Sequence, residues 1–126
     1  VCSFFYTFLC KAILGQDTGF LLEGKVWDVA VDLRPDSPTF GKWFGVELSA
    51  ENKLQFYVPR GFGHGFSVLS ETAIFAYKCD NFYNKESEGG VLWNDPDLNI
   101  DWKLPLEEVI LSEKDTVQPT FAEKNF

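Results

Sequence analysis

The chain has 126 residues, which is enough for one domain and too few for two of ordinary size. Hydrophobic residues make up 45% of it and aromatic residues 17%, so it can bury a substantial core and is not an intrinsically disordered chain. Its formal net charge of -8, without a local cluster of Lys and Arg, argues against binding to nucleic acid or to an anionic membrane surface.

The first fifteen residues, VCSFFYTFLCKAILG, are apolar and differ in character from the rest of the chain. A signal peptide begins with basic residues, which this segment does not have at its start. A membrane span needs about 20 apolar residues, whereas the apolar run here is much shorter and is interrupted by Lys11. We therefore interpret residues 1–15 as an atypical segment with a boundary near Gly15, and residues 16–126 as a single domain. Three cysteines without a CxxC pair favour a reduced, cytoplasmic protein.

From Lys25 onward, apolar residues recur at every second position, which predicts β-strands. A short strand is also predicted at 91–93, a polar hairpin loop at 49–53, and a loop laid over the barrel from Asn94 onward. Many short strands without an amphipathic helix predict an all-β antiparallel jelly roll. The residues that share a predicted strand face are Trp27, Val29 and Val31; Phe44, Val46 and Leu48; Leu54, Phe56 and Val58; Phe62, Phe66 and Val68; and Phe75, Tyr77 and Cys79.

The segment PRGFGHGF, at 59–66, contains the only histidine of the chain and three glycines. The alternation places His64 with Phe62 and Phe66, so its side chain should face the interior. A single inward histidine is more often a core residue hydrogen-bonded to the backbone than a ligand. The spacing Pro-x-Gly-x-x-His also resembles that of metal-binding cupins, but such sites need two or three histidines and a carboxylate. A metal-dependent cupin is therefore disfavoured.

Four blocks of the sequence together resemble the dTDP-4-dehydrorhamnose 3,5-epimerase family: VWDVAVDLRPDSPTFGKWFGVELSAENK, YVPRGFGHGFSVLSETAIFAYKC, YNKESEGGVLWNDPDLNIDW and LSEKD. They occur in the family's order and spacing, from about residue 24 to residue 115. The resemblance implies a jelly-roll homodimer that epimerises carbons 3 and 5 of dTDP-4-keto-6-deoxyglucose. It also implies that no metal or redox cofactor takes part.

The resemblance further implies roles for six residues. Tyr77 matches the proton donor, His64 a substrate-contacting histidine, Tyr83 the aromatic residue that stacks on thymine, Glu88 a polar substrate contact, Lys114 a basic contact, and Asp115 the aspartate that pairs with the catalytic histidine. Residue pattern alone also allows purely structural roles. Tyr77 would then be an interior tyrosine with a local hydrogen bond. Glu88 would be a solvated loop carboxylate, and Lys114 and Asp115 would belong to a surface turn.

The sequence departs from the family pattern in its first part. The family's catalytic base is a histidine in a block similar to LRGLHFQ, upstream of the four matched blocks, and the printed sequence does not contain it. A basic residue of the family is replaced near Asp17. Because loss of a general base typically slows catalysis by about 10²- to 10⁴-fold, we expect this chain to be impaired or inactive. A noncatalytic nucleotide-sugar-binding jelly roll and an epimerase of a related dTDP-4-keto sugar remain alternatives.

Overall fold

A computed structural model of the chain describes the backbone of residues 10–11 and the structure of residues 16–82 and 89–124. These parts are almost entirely β-structure, as predicted, with one 3-10 turn, Leu106–Glu108, and one short helix, α1, Glu113–Thr116. The strands of the described residues are β1 (Cys10–Lys11), β2 (Asp17–Glu23), β3 (Lys25–Asp32), β4 (Trp43–Ser49), β5 (Gln55–Val58), β6 (Phe62–Val68) and β7 (Ile74–Cys79).

The strands form two antiparallel sheets that face each other. One sheet has the strand order β1-β6-β3-β4, and the other has the order β5-β2-β7. Leu21 of β2 packs with Val26, Leu48 and Val68 of the four-stranded sheet, so apolar residues of both sheets share one core. The antiparallel jelly roll predicted from the alternating pattern is therefore confirmed.

A second core lies on the outer face of the four-stranded sheet. Because successive strand residues point to opposite faces, Val29 and Val31 of β3 face away from the space between the sheets. Residues of the C-terminal segment cover them, chiefly Val91, Leu98 and Trp102. The predicted loop laid over the barrel is thus confirmed, and β3 is buried on both faces.

Three local predictions need correction. Residues 91–93 do not form a strand. The Leu92 amide instead donates a hydrogen bond to the Pro119 carbonyl (2.8 Å) within the C-terminal segment. Residues 49–53 do not close a hairpin, because β4 and β5 belong to different sheets. The strand β2 was not predicted, and a bulge between Leu21 and Glu23 breaks its pairing register with β7. The predicted boundary at Gly15 lies outside the described residues and stays a prediction.

Gly24 is the single residue between β2 and β3, where the chain passes from one sheet to the other. Its φ is +80°, and a Cβ atom there would lie 2.1 Å from the carbonyl oxygen of Thr72. We expect Gly24→Ala to lower the free energy of unfolding by at least about 1–2 kcal/mol, from the left-handed backbone alone. Urea unfolding measures it. As the matched control, Gly89→Ala meets chiefly the flexible end of Lys124 and should have a much smaller effect.

Candidate active site

A histidine–aspartate pair lies at the centre of the space between the sheets. His64 of β6 is paired in register with Ala30 of β3, and Asp28 lies two residues along β3 on the same face. Nε2 of His64 is 2.6 Å from Oδ1 of Asp28. The Asp28 side chain is fully buried and that of His64 is 12% exposed. The predicted inward orientation of His64 is confirmed, but its partner is a carboxylate and not the backbone.

Asp28 was not predicted as a site residue from the sequence. Its second oxygen, Oδ2, is buried and has no hydrogen-bond partner among the described residues. A buried carboxylate oxygen without a donor is costly in a folded protein. The available sequence signal was an aspartate in a strand that otherwise consists mainly of core residues.

A second carboxylate approaches His64 from the opposite sheet. Oδ2 of Asp17, on β2, lies 4.0 Å from Nδ1 of His64. Burial of the imidazole opposes its protonation, but the hydrogen bond and negative charge of Asp28, together with the charge of Asp17, raise the pKa of His64 above its usual value. The two carboxylates therefore stabilise the protonated imidazole relative to the neutral one.

Aromatic rings surround this pair and lead outward to Tyr77. The His64 ring centroid lies 6.4 Å from that of Phe56 and 6.3 Å from that of Phe75. The Phe75 ring is in turn 6.2 Å from the ring of Tyr77, two residues further along β7. Tyr77 is thus on the inner face of β7, within the same aromatic row as His64.

Tyr77 and Cys79 differ from the prediction in their exposure. The alternating pattern places both on the same face as Phe75, which predicts an interior position, but Tyr77 is 64% exposed and Cys79 is also exposed. The reason is local: β7 is an edge strand, and Tyr77 is paired with Gly19, which has no side chain to cover the ring. Tyr77 therefore lies at the rim of the site among the described residues.

The other predicted site residues are either outside the described residues or away from His64. Tyr83 and Glu88 lie outside the described residues. Lys114 is exposed on α1, and its carbonyl accepts a hydrogen bond from Gln118. Asp115 is buried and accepts a hydrogen bond from the Ser112 hydroxyl at 2.7 Å. The polar contacts of His64 are with Asp28 and Asp17, so the site roles implied for Lys114 and Asp115 stay predictions.

The described residues contain neither a metal-binding cluster nor a membrane-spanning helix. Within residues 16–82 and 89–124, no group of three His, Cys, Asp or Glu side chains is arranged to hold a metal ion. The same part of the chain contains no helix long and apolar enough to cross a membrane.

The model of the dTDP-4-dehydrorhamnose 3,5-epimerase family matches residues 19–123 of the chain, which includes Asp28, His64 and Tyr77. The chain belongs to this family. A curated family member from Shigella flexneri is 53% identical over 103 residues, covering 82% of this chain and 56% of the relative. One from Pseudomonas aeruginosa is 56% identical over 101 residues, covering 79% of this chain and 55% of the relative.

Solved structures of family members have the same fold. The epimerase from Elizabethkingia anophelis superposes with a TM-score of 0.87 at 69% identity, over 89% of this chain and 61% of that one. An epimerase from Legionella pneumophila, solved in complex with dTDP-4-keto-L-rhamnose, gives 0.85 at 50% identity, over 88% and 58%. The chain thus spans a little more than half of the length of these family members.

Proposed function

We propose that this epimerase-family chain binds a dTDP-4-keto-6-deoxy sugar in the space between its sheets and belongs to an enzyme that epimerises carbons 3 and 5. The observation that carries the proposal is the buried His64–Asp28 pair, which faces the same space as the row from Phe75 to Tyr77. The family match and the Legionella pneumophila relative, solved with dTDP-4-keto-L-rhamnose, support this ligand class.

The chemistry explains which groups such a site needs. The protons on carbons 3 and 5 are both adjacent to the carbon-4 ketone, so their removal gives an enolate. A base must take each proton, an acid must return it to the other face, and a donor must stabilise the enolate oxygen. The Tyr77 hydroxyl is suited to return a proton, and a protonated His64 is suited to donate a hydrogen bond to an oxygen.

None of the described site residues is assigned as the base that removes the protons from carbons 3 and 5. His64 is the only histidine of the sequence, and its carboxylate partners favour the protonated form. An imidazolium cannot accept a proton. A nucleotide-sugar-binding jelly roll without its own catalysis is therefore kept as the second candidate function.

Further parts of the proposal rest on the family relationship. Tyr83 would stack on the thymine ring, Glu88 and Lys114 would contact the substrate, and Asp115 would orient a catalytic histidine. A homodimeric assembly, a cytoplasmic location and a closely related dTDP sugar as substrate likewise remain proposals. The test of the site formed by His64, Asp28 and Tyr77 does not depend on any of these proposals.

The proposal is tested by binding and by solvent exchange on the purified chain. Isothermal calorimetry measures binding of dTDP-4-keto-6-deoxyglucose, and proton NMR in heavy water measures deuterium uptake at carbons 3 and 5. We expect binding, with exchange slower by about 10²- to 10⁴-fold than for the Pseudomonas aeruginosa relative, the typical effect of a missing base. Tyr77→Phe should remove residual exchange, and Tyr57→Phe, on another strand, serves as the matched control.

The outcomes separate the two candidate functions. Exchange at the rate of the relative would show that the chain is a complete catalyst and would contradict our expectation of impairment. Binding without exchange above the buffer background would favour the noncatalytic candidate. Folded protein that does not bind the sugar nucleotide would contradict the proposed function.

A further inference from the structure

The two sheets bring a carboxylate to each nitrogen of the same imidazole. Asp28, from the strand next to His64, bonds Nε2 at 2.6 Å and is fully buried. Asp17, from the facing sheet, lies 4.0 Å from Nδ1 with a side chain that is 20% exposed. The mechanism described above uses His64 and Tyr77 but assigns no part to Asp17. The approach of a second acidic group to an enclosed imidazole therefore needs its own explanation.

We propose that Asp17 is a positioning residue that, together with Asp28, holds His64 as an imidazolium whose Nδ1–H is offered to an oxygen of the bound sugar. In naming the ligand this inference rests on the proposed function. Its first part, the effect of Asp17 on the charge of His64, depends on the protein alone.

The distances explain why Nδ1 is the donor. Nε2 is already engaged with Asp28 in a short contact. The separation of 4.0 Å between Nδ1 and Asp17 permits electrostatic attraction but exceeds a hydrogen bond. The negative charge of Asp17 therefore stabilises the Nδ1 proton without accepting a hydrogen bond from it. A ligand oxygen can accept this proton in a hydrogen bond.

The same geometry defines what the site accepts. Oδ2 of Asp28 is buried and its side chain is fully covered, so a ligand would meet the His64 side chain, which is 12% exposed. Two carboxylates near one imidazolium repel a phosphate group. The position beside His64 thus fits an uncharged ring that carries a carbonyl oxygen, while the diphosphate of the ligand binds elsewhere.

Among the described residues, Asp28 and Asp17 are the charged groups that act on His64. Burial by itself opposes protonation of His64, and the two aspartates together raise its pKa. Phe56 and Phe75, which pack against the ring, carry no charge. The ionisable residues on the inner faces of β2, β3, β6 and β7 are Asp17, Asp28, Asp32, His64, Tyr77 and Cys79. The adjoining strand β1, of which only the backbone is described, contains Cys10 and Lys11.

The test uses the fact that the chain has one histidine, so imidazole ¹⁵N labelling gives a single pair of ring signals. The signals are followed by NMR as a function of pH in the parent chain and in Asp17→Asn. Asp101→Asn is the matched control, because it removes the same charge from an exposed ion pair with Lys103. Lys103 lies over the Trp27 ring, on the outer face of the four-stranded sheet and away from His64.

We expect the titration midpoint of His64 to move to lower pH in Asp17→Asn and to stay at the parent value in Asp101→Asn. Equal midpoints in the parent and Asp17→Asn would overturn the inference. Far-ultraviolet circular dichroism checks that both variants are folded. These measurements need no ligand, so their failure is distinct from a failure of the proposed function.

A second measurement tests the donor role. Calorimetry with dTDP-glucose, an analogue without the ketone, is compared with calorimetry on dTDP-4-keto-6-deoxyglucose across the pH range of the His64 titration. We expect the affinity for the keto sugar to fall as His64 loses its proton, with the fall beginning at lower pH in Asp17→Asn. An affinity ratio for the two ligands that is independent of pH in the parent would overturn the donor role.

Discussion

Trp102→Ala should lower the free energy of unfolding by about 3–5 kcal/mol, the typical cost of removing a buried tryptophan. Trp102 is buried in the outer core and donates from Nε1 to the carbonyl of Trp93 at 2.8 Å. Its own carbonyl accepts the hydroxyl of the buried Ser67 on β6. The substitution therefore leaves a cavity above the four-stranded sheet that also carries His64. Equilibrium unfolding in urea, monitored by circular dichroism, measures the change.

Phe82→Ala is the matched control for this prediction, since it also replaces a large aromatic residue by alanine. The Phe82 side chain is 96% exposed, so its removal should change stability by no more than about 0.5 kcal/mol. If both variants lost the same stability, the C-terminal segment would not be part of the folded core. A loss confined to Trp102→Ala would show that this segment supports the site strands from behind.

Asp32→Ala should destabilise the protein by about 3 kcal/mol, at the upper range for hydrogen bonds to a charged group. Asp32 is buried at the end of β3 and accepts hydrogen bonds from the guanidinium of Arg34 at 2.8 and 2.7 Å. The hydroxyls of Ser37 and Thr39 donate to the same carboxylate. Its removal leaves this turn without its common acceptor. Urea unfolding at pH 7 measures the loss, with the exposed Asp36→Ala as control.

The effect of Asp32 should also depend on pH in a defined direction. The hydrogen bond from Arg34, with those from Ser37 and Thr39, lowers the pKa of Asp32 far below its usual value, although burial opposes this. A group with a lowered pKa in the folded state contributes stability that is complete above its unfolded pKa of about 3.9. That contribution is lost as the pH falls through the folded pKa.

The difference in stability between the parent and Asp32→Ala should therefore be constant near neutral pH and decrease in strongly acidic solution. Unfolding curves at a series of pH values from 7 downward measure this difference. A difference that grew on acidification would mean that protonated Asp32 stabilises the fold more than its carboxylate does. Such a result would contradict the role assigned to the Arg34 hydrogen bond.

The alternating pattern alone was enough to predict most of the strands. It located the strands around Val29, Val46, Phe66 and Phe75 and grouped the residues that share a face, because side-chain direction alternates strictly along a strand. It did not show that the Asp28 face of β3, and not the Val29 face, lies between the sheets. The inward orientation of His64 follows from the same rule. The motif blocks predicted the family, which the comparisons confirm.

The alternating pattern did not predict features that depend on neighbouring strands or that interrupt the period of two. The strand β2 reads as DTGFLLE, with Gly19 in its middle and a bulge near its end, so no clean period of two is visible. The exposure of Tyr77 has a related cause. Strand periodicity predicts which side a residue faces, but only the neighbouring strand decides whether that side is covered, and here the neighbour is Gly19.

The sequence by itself therefore determined which residues share a strand face, the all-β class, the family and the inward position of its single histidine. Only the tertiary structure decided which carboxylates reach that histidine. Asp28 is 36 residues away along the chain and is brought to Nε2 by the register of β3 with β6. Asp17 reaches Nδ1 because the second sheet packs across the first. Neither contact is encoded in local spacing, since both arise from the stacking of strands distant in sequence.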